Sequence, residues 1–239
     1  MKLINYILLF CSLNAFSYSN DSLFTIGNYL YENEEYEKAI ECYLTIDSTE
    51  HAQALYHNLG NCYYQIGNIP KSILFYERAL LIKKDFETQA NLELSKKRIE
   101  EIESFPTLFF ISWWNSIAQY LEPKLWIILT TIFVWISCLL LLVFIKNRQK
   151  GTFNHFILAF IFTILLLFIS QRSNYLNKKT YAVIMKKTKL LSNISDIEEK
   201  QIITAGNKVE VINSSKDFLL VIIPNGEIGW MAQSDLEEM

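Results

Sequence analysis

Apolar positions in the first part of the chain recur with helical spacing, and the pattern itself repeats after about 33 residues. Residues 20–104 are therefore predicted to form an all-α array of helix pairs, with small residues where the two helices of a pair approach each other. In the first helices, Ile26-Gly27 recurs as Leu59-Gly60 and Leu92-Glu93. In the second helices, Ala39, Tyr43 and Ile46 recur as Ser72, Tyr76 and Ala79. The pattern predicts an abbreviated first helix in one repeat and an unpaired last helix, Phe86 to Glu103, whose charged face suits a solvated cap.

Two long apolar runs follow and predict two transmembrane helices within residues 124–171, at about 125–145 and 153–170. The first run contains no charged residue. At 1.5 Å per residue its length matches a hydrocarbon core of about 30 Å. The second run is shorter, but Lys150 and Arg172 bracket it at a spacing that lets both side chains reach the membrane interfaces.

The orientation of these helices is predicted from their flanks. Residues 1–19 have the charged, apolar and small-residue regions of a signal peptide, with an uncleaved anchor as the alternative. The turn Lys146 to Lys150 carries three positive charges, which places it in the cytoplasm. Arg172, Lys178 and Lys179 count against this orientation, but the first hydrophobic segment usually dominates. We therefore expect both soluble domains outside the cytoplasm, on the inner membrane.

Residues 105–123 form a Trp-rich segment between the repeats and the first apolar run. Aromatic residues concentrate there, and prolines bound it at both ends. Paired tryptophans just ahead of a span are typical of the aromatic belt, so this segment is predicted to lie in the membrane interface. An ordinary core helix is the alternative.

The pattern changes to β from residue 180 to residue 239, where short apolar runs alternate with turn residues. Runs at Tyr181 to Met185, Lys208 to Ile212, Phe218 to Ile223 and Ile228 to Met231 predict a small all-β barrel. The fold class is thus a multi-domain membrane protein with a helical array, two transmembrane helices and a small barrel.

Charge and candidate chemistry exclude several functions. The net charge of −3 arises from two acidic soluble regions around a basic middle, so nucleic acid is not expected as a partner. Cys42 and Cys62 are predicted to be two buried free thiols. A disulfide between them is the alternative, which an oxidising compartment would permit. The three histidines lie in no catalytic or metal-binding motif, and no phosphate loop or nucleotide fingerprint occurs. We expect no catalytic residues, no metal, no cofactor and no enzymatic activity.

Two modules resemble known families. Tyr56, Leu59, Gly60, Tyr63, Tyr76 and Ala79 resemble the tetratricopeptide repeat, with departures at Ser72 and Lys84. The ending Asn225 to Met231, followed by Ser234-Asp235-Leu236, resembles the closing part of bacterial SH3 domains. In that family the surface near the Gly-Trp pair binds peptide or cell wall, which makes Trp230 a candidate ligand contact. Closure of the barrel core is its alternative role.

The order of modules resembles the BatE proteins of the Bacteroides aerotolerance operon, found in Bacteroidetes and related bacteria. That resemblance implies a subunit that works beside von Willebrand A-domain and repeat proteins of the same operon in the inner membrane. The expected function is a membrane-anchored scaffold linked to aerotolerance or envelope stress. A cell-envelope sensor that binds peptidoglycan or peptide through the SH3-like domain is the alternative.

The tetratricopeptide resemblance also implies a concave groove for a partner segment. By that family's helix geometry, six residues are expected to face it: Phe24, Asn28, Tyr31, His57, Asn61 and Tyr64. Amide side chains there can hydrogen-bond a bound backbone without requiring a particular sequence. The alternative is that all six are ordinary solvated helix residues.

Overall fold

The computed structural model describes residues 20–46, 52–103, 108–193 and 199–239. The predicted signal peptide at residues 1–19 lies outside the described residues. The described helices are α1 (Asn20–Glu32), α2 (Tyr36–Leu44), α3 (Ala52–Gln65), α4 (Ile69–Ile82), α5 (Phe86–Lys96), α6 (Phe109–Ala118), α7 (Pro123–Asn147) and α8 (Lys150–Asn177). The strands described after them are β1 (Thr180–Ile184), β2 (Thr188–Leu191), β3 (Glu199–Ile203), β4 (Lys208–Ser215), β5 (Phe218–Ile222), β6 (Ile228–Ala232) and β7 (Leu236–Glu238).

Helices α1 to α5 form the predicted array, and a glycine fixes the close approach within each pair. A Cβ atom on Gly27 would lie 2.4 Å from the ring of Tyr43, and one on Gly60 would lie 2.5 Å from the ring of Tyr76. Both glycines therefore allow a tyrosine of the partner helix to lie directly on the backbone. The second pair turns at Gly67, where φ is +79°, and Asn68 then caps α4.

The lengths of the helices differ from the prediction at two places. The abbreviated helix is α2, with 9 residues, whereas the first helices α1 and α3 have 13 and 14 residues. Helix α5 ends at Lys96 instead of continuing to residue 103. The chain leaves the helix there because Ile99 and Ile102 pack against the C-terminal sheet.

Helices α7 and α8 form an antiparallel hairpin and are both long and apolar enough to cross a membrane. Only 11% and 17% of the residues in their most apolar windows are buried, which differs from a core helix of a soluble protein. Arg148, with φ of +53°, makes the tight turn between them. The hydroxyl groups of Ser137 and Thr163 lie 3.1 Å apart across the hairpin. The two predicted spans thus correspond to two helices of suitable length, which indicates membrane association.

Helix α6 packs against the end of this hairpin that faces the folded domains. Trp126 Nε1 donates to the Ala118 carbonyl at 3.1 Å, and Arg172 Nε donates to Asn115 Oδ1 at 2.9 Å. Phe109 and Trp113 stay exposed on the other face. The Trp-rich segment is therefore a short helix attached to the hairpin.

The C-terminal residues form one antiparallel sheet in the order β3-β2-β6-β5-β4-β1-β7. The predicted closed barrel is wrong, because the sheet is open and β3 and β7 are its edges. A register shift in β4 between Val211 and Asn213 bends the sheet over a core that includes Leu190, Val221 and Met231. Three strands, β2, β3 and β7, lie outside the apolar runs that predicted the others.

Candidate functional site

A triad of two asparagines and a tyrosine connects the first repeat to the second. Asn28 Oδ1 accepts hydrogen bonds from the Tyr43 hydroxyl at 2.6 Å and from Asn58 Nδ2 at 2.9 Å. Burial raises the pKa of the Tyr43 hydroxyl well above its ordinary value, so the hydroxyl remains a donor at any physiological pH. The carbonyl of Asn28 is therefore already engaged within the protein.

The same triad occurs again one repeat later. Asn61 Oδ1 accepts from the Tyr76 hydroxyl at 2.6 Å and from Asn91 Nδ2 at 3.1 Å. Burial likewise raises the pKa of Tyr76. Because each triad spans a helix pair and the first helix of the next repeat, the two triads fix how successive repeats stack. The predicted amide residues are thus held rigidly, and the sequence alone did not show their partners.

The structure brings three of the predicted residues together around one pocket. Tyr31, Asn61 and Tyr64 line a pocket of about 260 Å³. The other lining residues, which the sequence analysis did not single out, are Gln65, Tyr76, Glu87, Asn91 and Leu94. This lining holds one carboxylate and no cationic side chain, so the groove suits a neutral or basic segment.

The remaining predicted groove residues, Phe24, Asn28 and His57, do not line this pocket. The Phe24 ring packs against Tyr43, with 5.9 Å between ring centroids, and borders the core of the first repeat. His57 Nδ1 lies 2.8 Å from the Thr88 hydroxyl, and its Nε2 lies 3.7 Å from a Glu87 carboxylate oxygen. Asn28 and His57 are therefore occupied by contacts within the repeats, and neither lines the pocket.

Trp230 lies on the face of the sheet opposite to the core. Along β6, Gly229 and Met231 are buried, whereas Trp230 is half-buried and paired with Leu220 of β5. The core position belongs to Met231. A Cβ atom on Gly229 would lie 2.6 Å from the Leu190 side chain, so the Gly-Trp pair allows β2 to approach β6 closely.

A second cluster, which the sequence analysis missed, joins the repeats to the sheet. Glu77 of α4 accepts from Lys208 of β4 at 2.7 Å, and its other oxygen lies 3.8 Å from Lys96. Nearby, Ile73 and Val183 are fully buried in one apolar cluster that both domains share. These contacts are far apart in sequence, and Glu77 looks like any helix carboxylate until the fold is known.

Asn207 closes this contact from the sheet side and is almost completely buried. Its Oδ1 accepts from the Ile102 amide at 2.8 Å, and its Nδ2 donates to the Glu100 carbonyl at 3.1 Å. Arg78 adds an ion pair with Glu237 at 3.3 Å. The repeat domain and the sheet are therefore in contact and lie at the same end of the α7–α8 hairpin.

Groups of three or more residues suited to hold a metal ion do not occur among the described residues. The three described cysteines, Cys42, Cys62 and Cys138, are free. Cys62 is fully buried, and burial raises the pKa of its thiol to about 12. A thiol in that setting is a poor nucleophile.

A comparison with protein families gives one match. Residues 53–86, which comprise α3, α4 and the start of α5, match the tetratricopeptide repeat family. A search of curated proteins finds no match to the chain. Tetratricopeptide repeats generally mediate contacts between proteins, and the predicted repeat is confirmed. The chain therefore contains a tetratricopeptide repeat within a helical array, together with two apolar helices and an open antiparallel sheet.

Proposed function

We propose that this chain is a non-catalytic, membrane-anchored scaffold that holds a segment of a partner protein in the groove of its repeat domain. The observation that carries the proposal is the polar groove lined by Tyr31, Asn61 and Tyr64. The two asparagine–tyrosine triads support it, because a rigid groove loses little conformational entropy when a partner binds.

The groove chemistry favours a neutral or basic extended segment. Asn61 and Asn91 line the groove with amide groups, and Tyr31 and Tyr64 line it with phenol rings. The Arg98 guanidinium lies over the Tyr64 ring, 5.0 Å from its centroid. Glu87, whose side chain is largely exposed, is the charged residue of the lining. A lysine or arginine of the partner that lies near Glu87 would therefore gain a favourable contact.

The finer assignment concerns the compartment and the partners. We place the chain in the inner membrane with both soluble domains in the periplasm. The contact between the repeat domain and the sheet supports their location on the same side of the membrane. The positive charges of the turn Lys146 to Lys150 support the location of that turn in the cytoplasm. By the resemblance to BatE proteins, the partners are von Willebrand A-domain and repeat proteins of one operon, with a role in aerotolerance or envelope stress.

Site-specific photocrosslinking in native membranes tests the groove. A photoreactive residue at Leu94, which is half-exposed in the groove, is expected to form a discrete adduct with a membrane protein. The matched control is the same residue at Tyr29, which is 65% exposed on α1 outside the groove and is expected to form none. Equal adducts from both positions, or adducts from Tyr29 alone, would refute the assignment of the groove.

Deletion of residues 180–239 is a poor test of the same question. The sheet covers apolar residues of the repeat domain, including Ile73 and Ile99, so its removal would expose them. Any loss of partner binding could then follow from misfolding. Point probes such as Leu94 leave that contact intact.

The second candidate is an envelope sensor that binds peptidoglycan or peptide through the sheet. The position of Trp230 favours it, because this side chain lies outside the core and is partly exposed. Retention of the full chain on isolated peptidoglycan is expected to fall when Trp230 is changed to alanine. Retention that the Trp230→Ala variant preserves would rule out this contact.

A further inference from the structure

The connection between α4 and α5 exposes apolar side chains that the repeat fold does not use. Leu81 is 63% exposed, Ile82 is 52% exposed and Phe86 is 89% exposed. Between them lie Lys83 and Lys84, both exposed. We call residues 81–86 the α4–α5 corner. Asp85, the N-cap of α5, completes this segment. Exposed apolar residues beside lysines are typical of segments that lie on an anionic lipid surface.

The α4–α5 corner faces the membrane-proximal end of the helix hairpin. Leu81, Ile82 and Lys84 line a crevice of about 870 Å³. Its opposite walls are the α6–α7 link, residues 119–123, and the end of α8 with the start of β1, residues 173–181. An adjoining crevice brings Phe86 into the same lining as Gln119. The corner and the start of the first span are thus neighbours in space.

The helix geometry sets the height of this crevice relative to the bilayer. Pro123 is two residues before Leu125, the first residue of the uncharged run, so the crevice begins at the hydrocarbon boundary. Helix α8 continues from Ser170 to Asn177, which corresponds to a rise of about 10 Å. The headgroup layer is about 5–8 Å thick on each side. The crevice therefore lies at the height of the headgroups.

The helix lengths set the distance between the near and far edges of the repeat domain. Helix α4 has 14 residues, so the α4–α5 corner lies about 20 Å from the edge at which the helix pairs turn. That far edge carries the acidic run Glu32 to Glu37 in the α1–α2 turn. An anionic surface attracts Lys83 and Lys84, which lie at the near edge.

We propose that the α4–α5 corner inserts into the lipid headgroup layer, so that the repeat domain rests on the bilayer beside its own spans. This inference rests on the membrane anchoring of the proposed function. It adds a consequence for the partner. Helix α5 lines the groove with Glu87, Asn91 and Leu94, which lie about 2–12 Å beyond Phe86 along the helix axis. The groove thus extends from Glu87 near the corner towards Tyr64 at the far edge, and a segment bound in it lies within about 20 Å of the headgroups.

Fluorescence quenching in vesicles tests the insertion. The full chain with Phe86→Cys, labelled with an environment-sensitive dye, is reconstituted in phosphatidylcholine and phosphatidylglycerol. Parallel vesicles carry a nitroxide quencher either near the headgroup, for position 86, or along the acyl chain, for the control within α7. The background is Cys11→Ala, Cys42→Ala and Cys138→Ala; Cys62 stays because its thiol is fully buried. Strong quenching is expected at position 86.

Two control positions distinguish a failure of the insertion from a failure of the membrane anchoring. Leu139→Cys, at a side chain 61% exposed on α7, must be quenched if α7 spans the bilayer, and Tyr29→Cys, near the acidic edge, must not be. Quenching at Leu139 while Phe86 behaves like Tyr29 would overturn the inference and leave the anchoring intact. No quenching at Leu139 would overturn the anchoring as well.

A charge variant tests the choice of lipid. Lys83→Glu with Lys84→Glu is expected to reduce the quenching at Phe86 severalfold in vesicles with phosphatidylglycerol, because two attractive charges become repulsive. In phosphatidylcholine alone the reduction is expected to be smaller. Unchanged quenching in both compositions would overturn the role of the anionic headgroup, and quenching at Leu139 must stay constant throughout.

Discussion

Replacing Gly206 with alanine tests whether the repeats and the sheet form one unit in solution. Gly206 has φ of +92°, where alanine costs about 1–2 kcal/mol. A Cβ atom there would also lie 2.9 Å from Ile99 and 3.3 Å from Ile73, both on the repeat side. Overpacking of that kind costs about 1–3 kcal/mol. The combined cost is therefore about 2–5 kcal/mol, and separation of the domains is the simplest relief.

Gly67→Ala is the matched control. Gly67 has φ of +79° but nothing within 4 Å of an added Cβ atom, so only the backbone cost of about 1–2 kcal/mol applies. Its effect should stay at the α3–α4 turn. The difference between the two variants isolates the contact between the domains from the backbone strain.

Hydrogen exchange of the full chain measures both variants. In Gly206→Ala, protection of the amides in residues 97–103 and 180–185 is expected to fall by about 30-fold or more, since each 1.4 kcal/mol corresponds to a factor of ten. Adding Ile99→Ala should restore part of the loss, because it removes the group that the new methyl meets. Equal changes at these segments in Gly206→Ala and Gly67→Ala would refute the contact.

Two further predictions concern charges in the soluble domains. Glu77→Gln is expected to lower the stability of the contact between the repeats and the sheet by about 1.5–3 kcal/mol, because it weakens the hydrogen bond from Lys208. The same exchange measurement checks this value. The control Glu93→Gln, on the exposed face of α5, should change little. Burial alone would raise the pKa of Asp235, but hydrogen bonds, chiefly from Lys186, outweigh it and lower the pKa. The stability that Asp235 adds is present above its unfolded pKa of about 4 and is lost as the pH falls through the lower folded value. Acid titration of sheet stability should thus show a loss below about pH 4 that Asp235→Asn removes, and an unchanged profile in that variant would contradict this role.

Sequence reasoning found the helical array because its signals are local. Gly27 and Gly60, 33 residues apart, and the tyrosines that pack on them are visible in one chain without any fold. The two apolar helices were found for the same reason, since their length and composition are properties of continuous segments.

The same reasoning predicted a closed barrel where the structure has an open sheet, and it missed the strands β2, β3 and β7. Strand β3 is rich in polar residues, and β7, Leu236 to Glu238, has only three residues, so neither has a clear alternating pattern. Whether a sheet closes depends on pairing between its ends, and β3 and β7 do not pair. That is a long-range property which no local pattern encodes.

The groove shows where the sequence stops being informative. The resemblance to the tetratricopeptide repeat implied that Asn28 and Asn61 face the groove, but only the fold shows that their carbonyl oxygens accept hydrogen bonds from Tyr43 and Tyr76. Only Asn61 of these two amides lines the pocket. A side chain's register can be read from its spacing, whereas its partners depend on helices that come together from elsewhere.

The sequence by itself determined the modules: a helical array that contains a tetratricopeptide repeat, two apolar helices and a β region. Each of them is fixed by spacing within a short stretch of chain. Only the tertiary structure decided how they combine. Lys208 meets Glu77 across more than a hundred residues, and Asn207 holds the Ile102 amide, because packing and desolvation act on distance in space and not on distance along the chain.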